Sequence, residues 1–221
     1  MAISARIRAI GEFISAGEKV ADVGADHGYL ELYLLAKHSD IFITAIENKK
    51  GPYSILDNNL RGFKNIKLSL SDGISAIDKD TTTLVLAGMG GLNIKKILDK
   101  KPEKLESITK VIVDAHRDID VVRKSLVDYG FRIAKEIIVY EDNKYYVINE
   151  FIRDDKNHSY SEDEIEFGYR IYSDKLWPEY RNYLIEVNNR TIEKVKDNPK
   201  SQNKILKLKN INERLMNYGK E

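Results

Sequence analysis

Cysteine is absent from the 221 residues. That excludes disulfides, thiolate nucleophiles and cysteine-bound metals, and it fits a cytoplasmic protein. No apolar run approaches the roughly 18 residues needed to cross a bilayer, so no membrane association is expected. Neither sign of charge is in excess. The 36 Lys and Arg balance 35 Asp and Glu to a formal +1, so bulk charge does not announce a nucleic-acid partner. No His, Asp and Glu cluster has metal-ligand spacing, no metal is expected, and nothing resembles a Ser-His-Asp arrangement.

What is present reads as a soluble globular chain, 42% hydrophobic and 32% charged. Met1 to Phe13 carries Arg6, Arg8 and Glu12 among apolar residues. This is an amphipathic helix pattern, not the apolar core of a secretory signal. Short β-rich runs follow at Lys19–Val23, Ile41–Ile46, Ile66–Leu70, Thr83–Leu86 and Lys110–Val113. Helical stretches separate them at Leu30–Lys37, Pro52–Leu60, Leu92–Leu98 and Ile119–Tyr129. Such alternation predicts an α/β fold with a parallel sheet and helices on both faces. Arg132–Tyr140 and Tyr145–Ile152, joined by the turn residues Glu141-Asp142-Asn143, predict a hairpin that adds an antiparallel last strand.

The composition changes beyond a polar linker at Arg153–Asn157. Residues 1–153 are assigned to a cofactor-binding domain and 154–221 to a helical hairpin. Ser161-Glu162-Asp163-Glu164 is a capping box. The spacing of Ile165, Tyr169, Tyr172 and Leu176 extends a helix to the interruption at Trp177-Pro178. Two further stripes, Tyr180 to Val195 and Ile205 to Leu215, turn at Asn198-Pro199. From Arg190 to Glu221 nine basic residues face four acidic ones. This end can grip phosphates or simply be a solvated lysine-rich helix face.

The first candidate site is Asp22-Val23-Gly24-Ala25-Asp26-His27-Gly28-Tyr29, directly after the first strand. Glycines there permit a tight turn and close ligand approach. A dinucleotide would bring an anionic pyrophosphate, which Asp22 and Asp26 would repel. S-adenosyl-L-methionine brings an ammonium and a sulfonium, which carboxylates suit, so it is the expected cofactor. An ordinary turn with an Asp helix cap is the plainer alternative. Glu47, with Asn48 beside it, ends the second strand 23 residues past Gly24, a spacing suited to ribose hydroxyls. Asp72-Gly73 ends the third, where Asp72 can accept from an adenine amino group or merely turn the chain. Ala87-Gly88-Met89-Gly90-Gly91 ends the fourth, in the crevice where such sheets bind ligands. It lacks the acid or amide followed by prolines found in many amine-methylating enzymes. A ring nitrogen with a free lone pair needs no base, so the loop suits that target better. Tyr29 can stack on a flipped base or belong to the core. His27 can bond either ligand, and His116 and Arg117 can reach a phosphate.

Together these motifs resemble the bacterial tRNA (adenine22-N1)-methyltransferase family, TrmK. The resemblance rests on Asp22 to Leu30, Gly51-Pro52-Tyr53, Asp72-Gly73 and Ala87 to Gly91, extends to Tyr145-Tyr146 and weakly to Phe167-Gly168, and covers most of the chain. It implies a Rossmann-like class I methyltransferase fold with a coiled-coil-like C-terminal hairpin, tRNA as partner, and methyl transfer to N1 of adenine 22 in the D-arm. The site residues carried over are Asp26, Tyr29, Gly88, Met89 and Gly90 for catalysis. For the cofactor they are Asp22, Gly24, Asp26, His27, Gly28, Glu47, Asn48, Asp72, Gly73, Ala87 and Gly88. One departure is Asp114-Ala115-His116, where the family pattern has Gln-Pro-Asn. Methylation of another RNA or a small molecule, and a non-catalytic RNA-binding role, are the competing readings. A monomer is expected, although the tail can pack on its own domain, pair with another copy or hold tRNA.

Overall fold

The computed structural model describes residues 3–154, 156 and 158–220. Met1 and Ala2 of the amphipathic stretch, and Asp155 and Asn157 of the expected linker, lie outside the described residues. The chain divides into two compact units, one ending at Ser159 and the other beginning at Tyr160.

The first unit holds helices α1 (Ala5–Gly11), α2 (Tyr29–Lys37), α3 (Lys50–Leu60), α4 (Gly91–Lys100) and α5 (Ile119–Asp128). Its strands are β1 (Lys19–Val23), β2 (Phe42–Glu47), β3 (Ile66–Leu70), β4 (Thr83–Met89), β5 (Lys110–Ala115), β6 (Phe131–Glu141) and β7 (Lys144–Arg153). They form one sheet in the order β3-β2-β1-β4-β5-β7-β6, in which β7 is antiparallel to both neighbours. This is the expected Rossmann-like arrangement. The central strands read as continuous apolar runs because helices cover both faces; Leu84, Val85, Leu86, Val111, Ile112 and Val113 are all fully buried. The order reverses between β1 and β4, so a crevice opens beyond their carboxyl ends.

Four strands, β4 to β7, run longer than the apolar pattern suggested, and one difference matters for function. β4 continues through Gly88 to Met89 by way of an irregularity in its pairing with β5. The glycine segment is therefore strand at its start and helix cap at its end. The hairpin turn consists of Asp142 and Asn143, both at positive φ, the conformation that two-residue hairpins require. A buried Arg123 donates from Nε to Glu136 at 2.7 Å, tying α5 to β6.

In the second unit the capping box is present at Ser161, but its helix α6 (Glu162–Glu166) is one turn long. The expected continuation to Leu176 does not form. Gly168 at φ 127 and Arg170 at φ 55 turn the chain, and Pro178 stands at the start of α7 (Trp177–Val195) rather than interrupting a helix. Proline suits a first turn because its missing N–H would have no partner there. α7 and α8 (Gln202–Asn217) form the helical hairpin, joined across by Asn188 donating to Asn212 at 2.8 Å. Arg214 of α8 pairs with Asp163 and with Glu166 at 2.8 Å. The lysines at 194, 200, 204, 207 and 209 stay exposed.

Candidate active site

The crevice at the carboxyl ends of β1 to β4 has a volume of about 260 Å³. Gly24, Asn48, Asp72, Gly73 and Met89 line it together. Gly24 holds φ 91, and a Cβ there would meet Met89 Cε at 3.0 Å. The glycine thus keeps open the space between the first loop and the end of β4. Its N–H donates to the Ile46 carbonyl at 2.8 Å, which fixes the turn to β2.

Three carboxyls are buried at this edge: Asp22, Glu47 and Glu31. Glu47 Oε1 accepts from the backbone N–H groups of Asn48 at 2.9 Å and Lys49 at 2.8 Å. One oxygen is thereby occupied, and the other keeps its acceptor capacity. Glu31, in the first turn of α2, was not singled out from sequence. An acid there ordinarily faces solvent and favours the helix dipole, whereas this one is completely buried. Burial, and then the charge of Asp22, push its pKa well above the usual carboxylate range. Burial likewise raises Asp22 to about 6, an effect to which Glu47 adds and which interaction with Glu31 reduces.

This pair makes stability depend on pH. A buried acid with a raised pKa holds its proton in the folded chain while the unfolded chain has lost it, so stability falls as pH climbs from the unfolded value through the folded one. Glu31→Gln removes that loss. The variant is expected to gain on the wild type progressively as pH rises from about 4.5. Thermal melts between pH 4 and 8 measure the gap; a gap that does not widen with pH would refute the shift.

The remaining residues of the first loop divide. Asp26, at φ 50, is exposed and bonds His27 Nδ1 at 2.7 Å. His27 stacks on Tyr29 with ring centroids 5.8 Å apart. Tyr29 also lines a second, largely apolar cleft of about 660 Å³ between α1, α2 and α3. Gly28 faces away from the crevice: a Cβ there would press on Leu56 at 2.9 Å, so it lets α2 pack on α3. Asp72 is drawn to Lys100, whose hydrogen bond and charge lower its pKa. Gly88, at φ 74, faces open space beside Ala87. Gly90 caps α4, and Asn93 reaches Met89 Sδ at 3.4 Å.

A family profile described as a methyltransferase domain matches residues 3–149. The tRNA (adenine(22)-N(1))-methyltransferase of Bacillus subtilis is 28% identical over 150 residues, 66% of this chain and 63% of that protein. The match thus spans just under two thirds of that relative. A Streptococcus pneumoniae protein described as a candidate tRNA (m1A22) methyltransferase, solved in complex with S-adenosyl-L-methionine, superposes with a TM-score of 0.80 at 26% identity. That alignment covers 97% of this chain and 98% of that one. The M. capricolum TrmK structure with S-adenosyl-homocysteine gives a TM-score of 0.83 at 23% identity, covering 97% and 96%; it bears on the fold alone.

Proposed function

We propose, from the premise that this chain belongs to the methyltransferase-domain family, that it transfers a methyl group from S-adenosyl-L-methionine to N1 of adenine 22 of tRNA. The observation that carries this reading is the set of buried carboxyls, Asp22, Glu31 and Glu47, around the Gly24 turn. Glu31 keeps its proton behind Asp22, so the negative charge of the cradle rests on Asp22 and Glu47; it would repel a dinucleotide pyrophosphate and suits a cationic ligand bearing a ribose. The sequence and full-length structural likeness to tRNA (m1A22) methyltransferases supports the substrate.

In this reading Asp22 receives the methionine ammonium, the second oxygen of Glu47 takes the ribose hydroxyls, and Asn48, Asp72 and Gly73 frame the adenine. Bound there, the cofactor supplies an electrophilic methyl on a sulfonium. The chain's own work is to hold adenine N1 in line with that methyl and to exclude water, which accounts for most of the rate in such displacements. N1 has its lone pair free, so no base is required before attack. The product ring is cationic, and the exposed carboxylate of Asp26 stabilises that developing charge. Tyr29 and the segment Gly88-Met89-Gly90 hold the extruded base. The exposed lysines of α7 and α8 grip the tRNA backbone. The catalytic domain and the helical hairpin divide these roles between them.

The test is transfer of labelled methyl to unmodified tRNA bearing adenine or guanine at position 22. Transfer that requires the adenine is the expected result. Equal transfer to both moves the target elsewhere on the RNA, and no transfer from a protein that binds the cofactor overturns the tRNA reading.

A further inference from the structure

The carboxyl ends of β5 and the hairpin hold a second cluster, which the cofactor chemistry does not use. Asp114, near the end of β5, is completely buried. Neither carboxylate oxygen has a hydrogen-bond partner among the described residues; its ion pair is with Arg6 Nε at 3.3 Å. Burial lifts its pKa to about 6 against the pull of Arg6. A buried, incompletely satisfied acid is costly to keep and marks a place where something else is being held.

What it holds is Arg6. The guanidinium lies 4.7 Å over the Tyr146 ring, and its Nη1 is 3.1 Å from His116 Nε2. The helix carrying it is pinned in turn, since Ser4 Oγ donates to Glu141 at 2.7 Å and the Ala5 N–H donates to the same carboxylate at 2.6 Å. The cluster also abuts the crevice. The backbone N–H of His116 donates to the Met89 carbonyl at 3.0 Å, and Arg117 lies over Gly90. Arg117 is exposed, its nearest acid being Asp118 at 3.7 Å. His116 has its pKa lowered by partial burial and by the charges of Arg6 and Lys144, so near neutral pH it offers one N–H rather than a charge.

We propose that Arg6, His116 and Arg117 form a seat for the backbone phosphate of the nucleotide presented for methylation, with Asp114 as the positioning residue that fixes Arg6. Guanidinium forks match phosphate oxygens, and phosphate contacts set register without reading sequence. A phosphate fixed beside Met89 and Gly90 would deliver its base to the crevice. The seat rests on the tRNA reading given above.

The test is binding of labelled, unmodified tRNA by fluorescence anisotropy over a salt series, with cofactor affinity measured in parallel by calorimetry. Arg6→Ala is expected to weaken tRNA binding about tenfold, to flatten the log–log salt dependence by about one, and to leave cofactor affinity in place. Arg117→Gln changes an exposed side chain, keeps the fold, and should flatten the slope by a similar amount. Asp114→Asn should weaken tRNA binding as Arg6→Ala does and add nothing to it in the double variant. A merely structural Asp114 would lower the melting temperature in both backgrounds and leave the slope alone. Unchanged slopes in Arg6→Ala and Arg117→Gln, with the wild type binding and methylating tRNA, overturn the seat only. A wild type that does not bind tRNA overturns the tRNA reading and the seat with it.

Discussion

Gly91→Ala should lower kcat/KM for methyl transfer by at least about 100-fold. Gly91 opens α4 and donates its N–H to the Arg117 carbonyl at 2.8 Å. A Cβ at this position would stand 2.1 Å from the Asp118 carbonyl oxygen and 2.9 Å from that of Arg117. Both obstacles are backbone, so no side chain can swing aside. The segment ending β4 and the segment following β5 must separate by roughly 1 Å, and misplacement on that scale costs on the order of 100-fold at a reacting centre. Overpacking adds about 1–3 kcal/mol of destabilisation. Gly51→Ala is the control, because its Cβ would meet nothing within 4 Å. Steady-state kinetics on both variants decide the matter; a Gly91→Ala enzyme within threefold of wild type would mean that the junction yields without disturbing the crevice.

Glu47→Ala is expected to weaken cofactor binding about 100-fold. The substitution removes the acceptor for the Asn48 and Lys49 N–H groups together with the oxygen assigned to ribose. Hydrogen bonds to a charged group contribute ~1.5–3 kcal/mol each, and ~2.7 kcal/mol is two decades in affinity. Glu47→Gln keeps one carbonyl oxygen in place and should lose nearer tenfold. Calorimetric titration separates the two. If alanine, glutamine and wild type bind alike, Glu47 serves only to shape the turn.

Most of the parallel sheet was legible because its strands are apolar throughout and its helices are periodic. β1 and β3 fall where their apolar runs do, and β5 extends only two residues past its own. Glycine and acid in alternation marked the crevice for the same reason, since few chemistries need both. Packing was illegible. Glu31 and Arg6 look like ordinary surface charges on short amphipathic helices, and only the meeting of elements far apart in sequence buries one and aims the other. Gly28 has a packing role that its place in the motif does not reveal. A Cβ there would press on Leu56 and Leu60, so the contact of α2 with α3 by itself requires a glycine. The truncated α6 shows the limit of periodicity. Ile165, Tyr169, Tyr172 and Leu176 keep helical spacing, yet the positive φ at Gly168 and Arg170 breaks the run.

The pinning of α1 bears on how the chain reaches its fold during synthesis. The capping serine and the next backbone N–H are held by Glu141, 137 and 136 residues away, and Arg6 is held by Asp114. On the ribosome, these anchors of the first helix do not exist until β5 and the β6–β7 hairpin have emerged. Contacts so distant along the chain are slow to close. The cluster beside the crevice therefore cannot be complete before the hairpin has been synthesised, and a nascent chain halted short of it would lack the Glu141 anchor of α1.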